Sequence, residues 1–164
     1  MNFEQSSTYS DEVGLKYLKA KFPNARIIEF NKVDKLAHFD FIVIDGNTFH
    51  LVETKIRYTY YDELIMEKMK YELMKNDLDI LVNNKHHKGK FSIGNIYYLN
   101  VIGETGYLFN VDSTTKREGE VFTSKCTATD GYKGKVVKPV YFLKTTDAET
   151  ITLTLNDYEN FKVC

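Results

Sequence analysis

The chain has 164 residues, of which 43% are hydrophobic and 27% are charged, and its net charge is −1. These values are typical of a soluble globular protein, and no apolar run is long enough to predict a transmembrane helix. Because the chain as a whole is not basic, contact with nucleic acid would need a local basic patch.

The N-terminal segment and the two cysteines indicate a compartment. Residues 1–12 lack the basic start and the apolar stretch of a signal peptide. Cys126 and Cys164 are too few for a disulfide framework. We therefore predict a cytoplasmic protein with free thiols and no membrane partner.

A first helix is predicted from Ser10 to about Lys21, and Pro23 follows its end. Ser10 is a suitable N-cap, and Glu12 in the first turn would complement the helix dipole. The apolar face is formed by Val13, Tyr17 and Leu18, and the outward lysines are Lys16, Lys19 and Lys21.

Residues 37–57 are the most informative stretch of the chain. Ala37–Ile44 and Thr48–Arg57 are rich in β-branched and aromatic residues, and both predict strands. Between them, Asp45-Gly46-Asn47 is a strong signal for the tight turn of a hairpin. A shorter strand is predicted just before this hairpin, at residues 25–30.

The length of the turn decides which side chains share a face of the hairpin. With a two-residue loop, Asp40, Glu53 and Lys55 point the same way because side chains alternate with a period of two. A loop at Gly46-Asn47 pairs Asp40 directly with Glu53, whereas a loop at Asp45-Gly46 makes them diagonal neighbours. Both registers keep the two carboxylates within roughly 5–8 Å of each other. A three-residue loop would place them on opposite faces.

Two acids and a lysine on an apolar face need partners, because buried charges are unfavourable unless they are paired or bound to a cation. One interpretation is an ion-pair cluster on a solvated face of the sheet. The other is a divalent-metal site, since the carboxylates of Asp40 and Glu53 suit Mg²⁺, which retains several waters. In that case Lys55 would lie beside a metal-bound water.

A second helix is predicted at about Tyr61–Lys75, and a basic loop follows it. The buried stripe of this helix steps by four residues, through Tyr61, Ile65, Met69 and Leu73. The loop is the densest basic run in the chain, Lys85-His86-His87-Lys88-Gly89-Lys90. Its two adjacent histidines are a poor pair of metal ligands.

The rest of the chain predicts strands. Ile96–Ile102 and Tyr107–Asp112 form a second hairpin, and three further strands are expected at residues 120–127, 135–143 and 150–155. No internal repeat and no long linker divides the sequence, so we predict a single domain over residues 1–164.

The spacing of the hairpin acids resembles the signature of a known family. Asp40, followed after twelve residues by Glu53-Thr54-Lys55, looks like the motif of the PD-(D/E)xK nuclease superfamily, with Phe39 in place of the proline. The resemblance covers about residues 10–112, where the predicted order helix–β–β–β–helix–β is that of the family core. It implies an α/β fold with a restriction-endonuclease-like core and a β-rich C-terminal extension from about residue 113 to 164.

This resemblance also implies a Mg²⁺- or Mn²⁺-dependent endonuclease that hydrolyses DNA. Asp40, Glu53 and the backbone carbonyl of Thr54 would hold the metal, and Lys55 would position the attacking water or stabilise developing charge. Many members carry a glutamate on the first helix, so Glu12 would be a third acid near the metal. A small domain with this glutamate resembles the Holliday-junction-resolvase-like branch, phage versions included, which implies branched or duplex DNA and a homodimer.

Two basic regions are candidates for contacts with DNA phosphates. They are the loop residues Lys85, His86, His87, Lys88 and Lys90, and the helix residues Lys16 and Lys19. Neither run has a spacing suited to reading bases, so these contacts would position DNA without reading its sequence. The alternative for the loop is ordinary solvated surface. For the whole chain, the alternatives are a catalytically silent nuclease-fold module that binds nucleic acid or a protein, and a β-rich structural protein.

Overall fold

A computed structural model describes residues 3–34, 36–124 and 135–153, in a mixed α/β arrangement. Cys126 and Cys164, on which the free-thiol prediction rests, lie outside the described residues. The elements are α1 (Phe3–Lys21), β1 (Arg26–Glu29), β2 (Phe41–Asp45), β3 (Thr48–Arg57), β4 (Glu63–Glu67), α2 (Lys68–Asn83), β5 (Ser92–Ile102), β6 (Thr105–Asn110), β7 (Arg117–Ser124), β8 (Lys135–Lys144) and β9 (Glu149–Thr152). Short 3-10 turns occupy Phe30–Lys32 and Thr145–Asp147.

The strands form two sheets. The larger has the order β1-β2-β3-β5-β6-β9, in which β3 and β5 are parallel and the other neighbours are antiparallel. The smaller is antiparallel, in the order β4-β8-β7. The predicted α/β class is therefore confirmed, and the predicted β-rich segment after residue 113 supplies β7, β8 and β9.

Each helix covers one face of the larger sheet. On one face, α1 packs Val13, Tyr17 and Leu18 against residues such as Phe41 and Val52. A Cβ atom on Gly14 would lie 2.9 Å from the Thr54 side chain, so glycine lets α1 approach β3 closely at this point. On the other face, α2 contributes four side chains to a separate hydrophobic cluster: Tyr71, Met74, Leu78 and Val82.

The boundaries of the two helices differ from the prediction. α1 begins at Phe3, so Ser10 lies inside the helix and is not its N-cap. Residues 63–67 form β4, and α2 begins only at Lys68, which makes the predicted stripe wrong. Met69 is 73% exposed. The four-residue spacing of apolar residues predicted a helix here, but residues 63–67 form a strand because β4 pairs with β8, far along the chain. Such tertiary pairing overrides a short local pattern.

The residues that the structure describes include no helix with the length and apolarity needed to cross a bilayer.

Candidate active site

The β2–β3 hairpin has the Gly46-Asn47 loop. Asp45 pairs with Thr48, and the ladder continues to the pair of Phe41 and Val52. Gly46 has φ 58°, a left-handed conformation that favours glycine. Of the two registers that the turn allowed, the structure therefore has the one that brings residue 40 opposite residue 53.

Asp40 is held at the end of this ladder by two hydrogen bonds. Its N–H donates to the carbonyl of Val52 at 2.9 Å, and its carboxylate Oδ2 accepts the N–H of Thr54 at 2.7 Å. The side chain thus accepts a hydrogen bond from the backbone of β3 at the point where the pairing of β2 with β3 ends. These bonds fix the carboxylate beside Glu53.

Glu53 is the most buried acid of the site, with only 1% of its surface exposed. Its Oε1 forms ion pairs with Lys55 Nζ at 2.8 Å and with Lys70 Nζ at 2.5 Å. Among the described residues, nothing donates a hydrogen bond to its buried Oε2. A buried oxygen without a partner is unfavourable by about 1–3 kcal/mol, so this atom needs an explanation.

The pKa values of the two acids are shifted in opposite directions. Burial, followed by repulsion from Glu53, raises the pKa of Asp40 to about 7, although the Thr54 N–H and the lysines act against this. For Glu53, burial acts to raise the pKa, but attraction and hydrogen bonds from Lys55 and Lys70 outweigh it and lower the pKa. The pKa of Lys55 is raised, first of all by Glu53, so Lys55 is a cation at neutral pH. Near neutral pH the site therefore holds one firmly ionised carboxylate and one that is ready to lose a proton.

The donor set fits a divalent cation. A cation beside Glu53 Oε2 would supply the missing partner and would favour the ionised form of Asp40. In the described part of the chain, no three Asp, Glu, His or Cys side chains lie together as a ligand cluster. Two carboxylates are nevertheless sufficient for Mg²⁺, which retains several waters when it binds to a protein. Coordination by the Thr54 carbonyl stays a prediction.

On α1, Asp11 is a buried acid whose charge interacts with that of Glu53. Glu12 is exposed, whereas Asp11 is only 8% exposed. The pKa of Asp11 is raised, mainly by burial; a hydrogen bond from Asn31 opposes this, and the charges of Glu29 and Glu53 add to it. Because α1 begins at Phe3, Glu12 also lies beyond the first turn, where the helix dipole acts. The role of Glu12 as a metal-site acid stays a prediction, and Asp11 is the residue that the sequence reasoning passed over.

A groove of about 300 Å³ opens beside Glu53, between the larger sheet and the β4-β8-β7 sheet. The larger sheet contributes Lys55 and Arg57, and β8 contributes Lys138. Lys138 pairs with Glu67 at 2.7 Å. The groove therefore extends the positive charge of the site along β3 and onto the facing sheet.

Arg57 also positions the wall of this groove. Its Nε donates to Asn100 Oδ1 at 2.7 Å, and its Nη2 contacts Tyr98 Oη at 3.2 Å. The Tyr98 hydroxyl in turn donates to the carbonyl of Ile65 in β4 at 2.7 Å. This network ties the smaller sheet to the larger one within reach of the two acids.

The predicted basic loop lies away from this groove. Ser92, just after the loop, pairs with Thr48 at the hairpin end of β3, about 23 Å along the strand from Lys55. His87 has a structural role, because its Nδ1 lies 3.1 Å from the Leu81 carbonyl and its ring contacts Phe49. The other basic residues of the loop are exposed: Lys85, His86, Lys88 and Lys90. On α1, Lys19 is exposed and Lys16 is partly buried.

Sequence reasoning did not connect two cations of the groove with Glu53. Lys70 lies near the start of α2, and it reaches Glu53 because that helix begins at Lys68, which the sequence did not predict. Lys138 is brought to the site by the pairing of β8 with β4, and no local pattern in the sequence indicates this pairing.

Comparison with known proteins gives a structural likeness. No protein-family model matches the chain, and no curated protein matches it. Among solved structures, the chain is similar to Hjc, a Holliday junction resolvase from the archaeal hyperthermophile Archaeoglobus fulgidus. The identity is 12%, the TM-score is 0.41, and the match covers 79% of this chain and 86% of the resolvase. This is a distant relation.

Proposed function

We propose that the protein is a metal-dependent nuclease that hydrolyses phosphodiester bonds of DNA. The observation that carries the proposal is the buried Oε2 of Glu53, which has no hydrogen-bond partner among the described residues and lies next to an aspartate and two lysines. A buried carboxylate oxygen without a hydrogen-bond partner is unfavourable, and a bound cation would remove that cost. The proposal includes a single domain, supported by the pairing of β8 with β4 and of β9 with β6.

Asp40 and Glu53, with the carbonyl of Thr54, would hold Mg²⁺ or Mn²⁺. When bound, such an ion lowers the pKa of a coordinated water and offsets charge on the scissile phosphate. Lys70 holds Glu53 Oε1 in place, which leaves Oε2 for the cation. The raised pKa of Lys55 keeps it protonated, so it stabilises negative charge on the phosphate and does not act as a base. Asp11 would act on the site through its charge.

Cleavage assays test this proposal. The purified protein is incubated with labelled linear, single-stranded and four-way-junction DNA in the presence of Mg²⁺, Mn²⁺ or EDTA. We expect cleavage with either metal and none with EDTA, and we expect Asp40→Asn and Glu53→Gln to abolish it. Asp45→Asn is the matched control, because Asp45 is an exposed acid of the same hairpin. Wild-type cleavage rates in either active-site variant would refute the assignment.

The same assay separates the finer proposals. Selective cutting of the four-way junction, with a dimer in sedimentation analysis, would support the resolvase-like subtype, whose members make two cuts with two sites. Metal-independent binding without any cleavage would support the alternative, a silent nuclease-fold module.

A further inference from the structure

The groove beside Glu53 differs from the rest of the molecule in charge. Its lining includes four cations, Lys55, Arg57, Lys70 and Lys138, against the two carboxylates of Glu53 and Glu67. The whole chain has a net charge of −1. The local excess of positive charge indicates that this groove binds an anionic ligand.

The start of α2 adds to this positive potential. Lys68 and Lys70 lie in its first turn. Glu67 precedes the helix, and its carboxylate pairs with Lys138 instead of capping the helix N–H groups. The dipole of α2 and the lysines of its first turn thus act in the same direction on an anion in the groove.

The size of the groove limits what can enter. A volume of about 300 Å³ lies at the lower end of the range for small-molecule sites, which suits one nucleotide. Glu53 lines the groove with only 1% of its surface exposed. Duplex phosphates lie on the outside of the double helix, so reaching Glu53 does not by itself require unpairing. The facing wall of the β4-β8-β7 sheet instead favours a flexible single strand over a rigid duplex in this narrow groove.

An exposed aromatic segment follows the groove directly. Arg57 lines the groove, and the next residue, Tyr58, is 90% exposed. Tyr60 and Tyr61 are about half exposed, and Tyr60 is fixed by a hydrogen bond of 2.9 Å with Thr145. Tyr58 lies three residues beyond Lys55, about 10 Å along the chain. Proteins that bind single strands combine a positively charged groove with aromatic side chains on which bases stack.

We infer that the groove and the tyrosine segment, Tyr58–Tyr61, bind an unpaired nucleic-acid strand, with its phosphates in the groove and its bases on the tyrosines. The inference rests on the proposed nuclease function and specifies its substrate class. The β4-β8-β7 sheet is then the wall that selects one strand over two.

Cleavage and binding of matched oligonucleotides test this inference. One labelled sequence is presented as single-stranded DNA, as single-stranded RNA, as a blunt duplex and as a fork with unpaired arms. With Mg²⁺ we expect cleavage of single strands and fork arms at least about ten times faster than cleavage within the duplex. Equal or faster cutting of the duplex would overturn the inference, and the DNA and RNA arms identify the sugar that is accepted.

Variants with matched controls test the two parts of the site. Fluorescence anisotropy in EDTA measures binding without any chemistry. Tyr58→Ala should weaken single-strand binding about five-fold or more, whereas Tyr58→Phe should not. Lys138→Ala should lower the salt slope by about one unit, whereas Lys144→Ala, an exposed lysine of β8 outside the groove, should not. Equal effects in variants and controls would overturn the inference.

The two proposals fail in different ways. If no substrate is cut with either metal, the nuclease proposal fails, while the anisotropy measurements still decide whether the groove binds a single strand. If the duplex is cut best and Asp40→Asn abolishes cutting, the nuclease proposal stands and the single-strand inference fails.

Discussion

Asp40→Asn should make the protein more stable at pH 8 in the absence of metal. Burial and the neighbouring Glu53 raise the pKa of Asp40 from its ordinary 3.8 to about 7. The folded state therefore holds this proton more tightly than the unfolded chain does. The contribution of Asp40 to stability is therefore fully present below about pH 4, decreases as the pH rises, and is lost above about pH 7. An asparagine does not ionise, and its amide oxygen can still accept the Thr54 N–H.

The pKa of Asp40 gives the magnitude of this effect. Each pKa unit corresponds to about 1.4 kcal/mol, so the change from 3.8 to about 7 corresponds to at most about 4 kcal/mol. Local relaxation reduces this value, and we expect Asp40→Asn to gain about 2–4 kcal/mol over the wild type at pH 8. For a chain of this size, such a gain raises Tm by roughly 4–12 °C.

Denaturation in EDTA at pH 4, 6 and 8 measures this effect. The variant and the wild type should be nearly equal at pH 4 and should diverge as the pH rises. Mg²⁺ should then stabilise the wild type at pH 8 and should stabilise the variant much less, because bound metal favours the ionised carboxylate. Asp45→Asn is the control and should change stability by no more than about 0.5 kcal/mol. A variant that is no more stable than the wild type at pH 8 would refute the electrostatic reasoning.

Three further predictions concern charges around the site. Glu53→Gln should lower the free energy of unfolding by about 1–3 kcal/mol in denaturant titrations, because Lys55 and Lys70 lose their anionic partner; clustered acids alone would predict a gain in stability. Lys55→Met should reduce kcat/KM by about 100-fold or more while stabilisation by Mg²⁺ persists, and loss of that stabilisation would contradict the role of Lys55. Replacing Lys85, Lys88 and Lys90 with Ala should weaken binding to all DNA sequences alike and lower the salt slope by up to about one unit for each phosphate that these lysines no longer neutralise. Parallel salt plots with equal intercepts would leave the loop as ordinary surface.

The local geometry of the two acids followed from the sequence. The turn residues Asp45-Gly46-Asn47 favoured a two-residue loop, and with such a loop the period of a strand placed Asp40, Glu53 and Lys55 on one face. The turn left two registers open, and the structure has the one with Gly46-Asn47 as the loop. Short-range rules sufficed here because the turn and both strands are contiguous in the chain.

The surroundings of the acids depended on tertiary structure. Lys70 reaches Glu53 because residues 63–67 form β4 and shift the start of α2 to Lys68. The start of α1 at Phe3 removed Glu12 from the first turn, and Asp11 is a buried acid of this helix. For α2, the pairing of β4 with β8 decided where the helix begins, which local propensity does not determine.

The sequence by itself determined the α/β class, the hairpin and the residue types of the site. Only the tertiary structure decided that Lys138 lines the groove, that Glu53 Oε2 has no partner in the described part of the chain, and that a second sheet faces the acids. The physical reason is the range of the interactions. A turn and the alternation of a strand act between neighbours in the chain, whereas the pairing of β4 with β8 joins residues such as Ile65 and Phe142 that no local pattern connects. The burial that sets the charge state of Asp40 arises from such long-range packing.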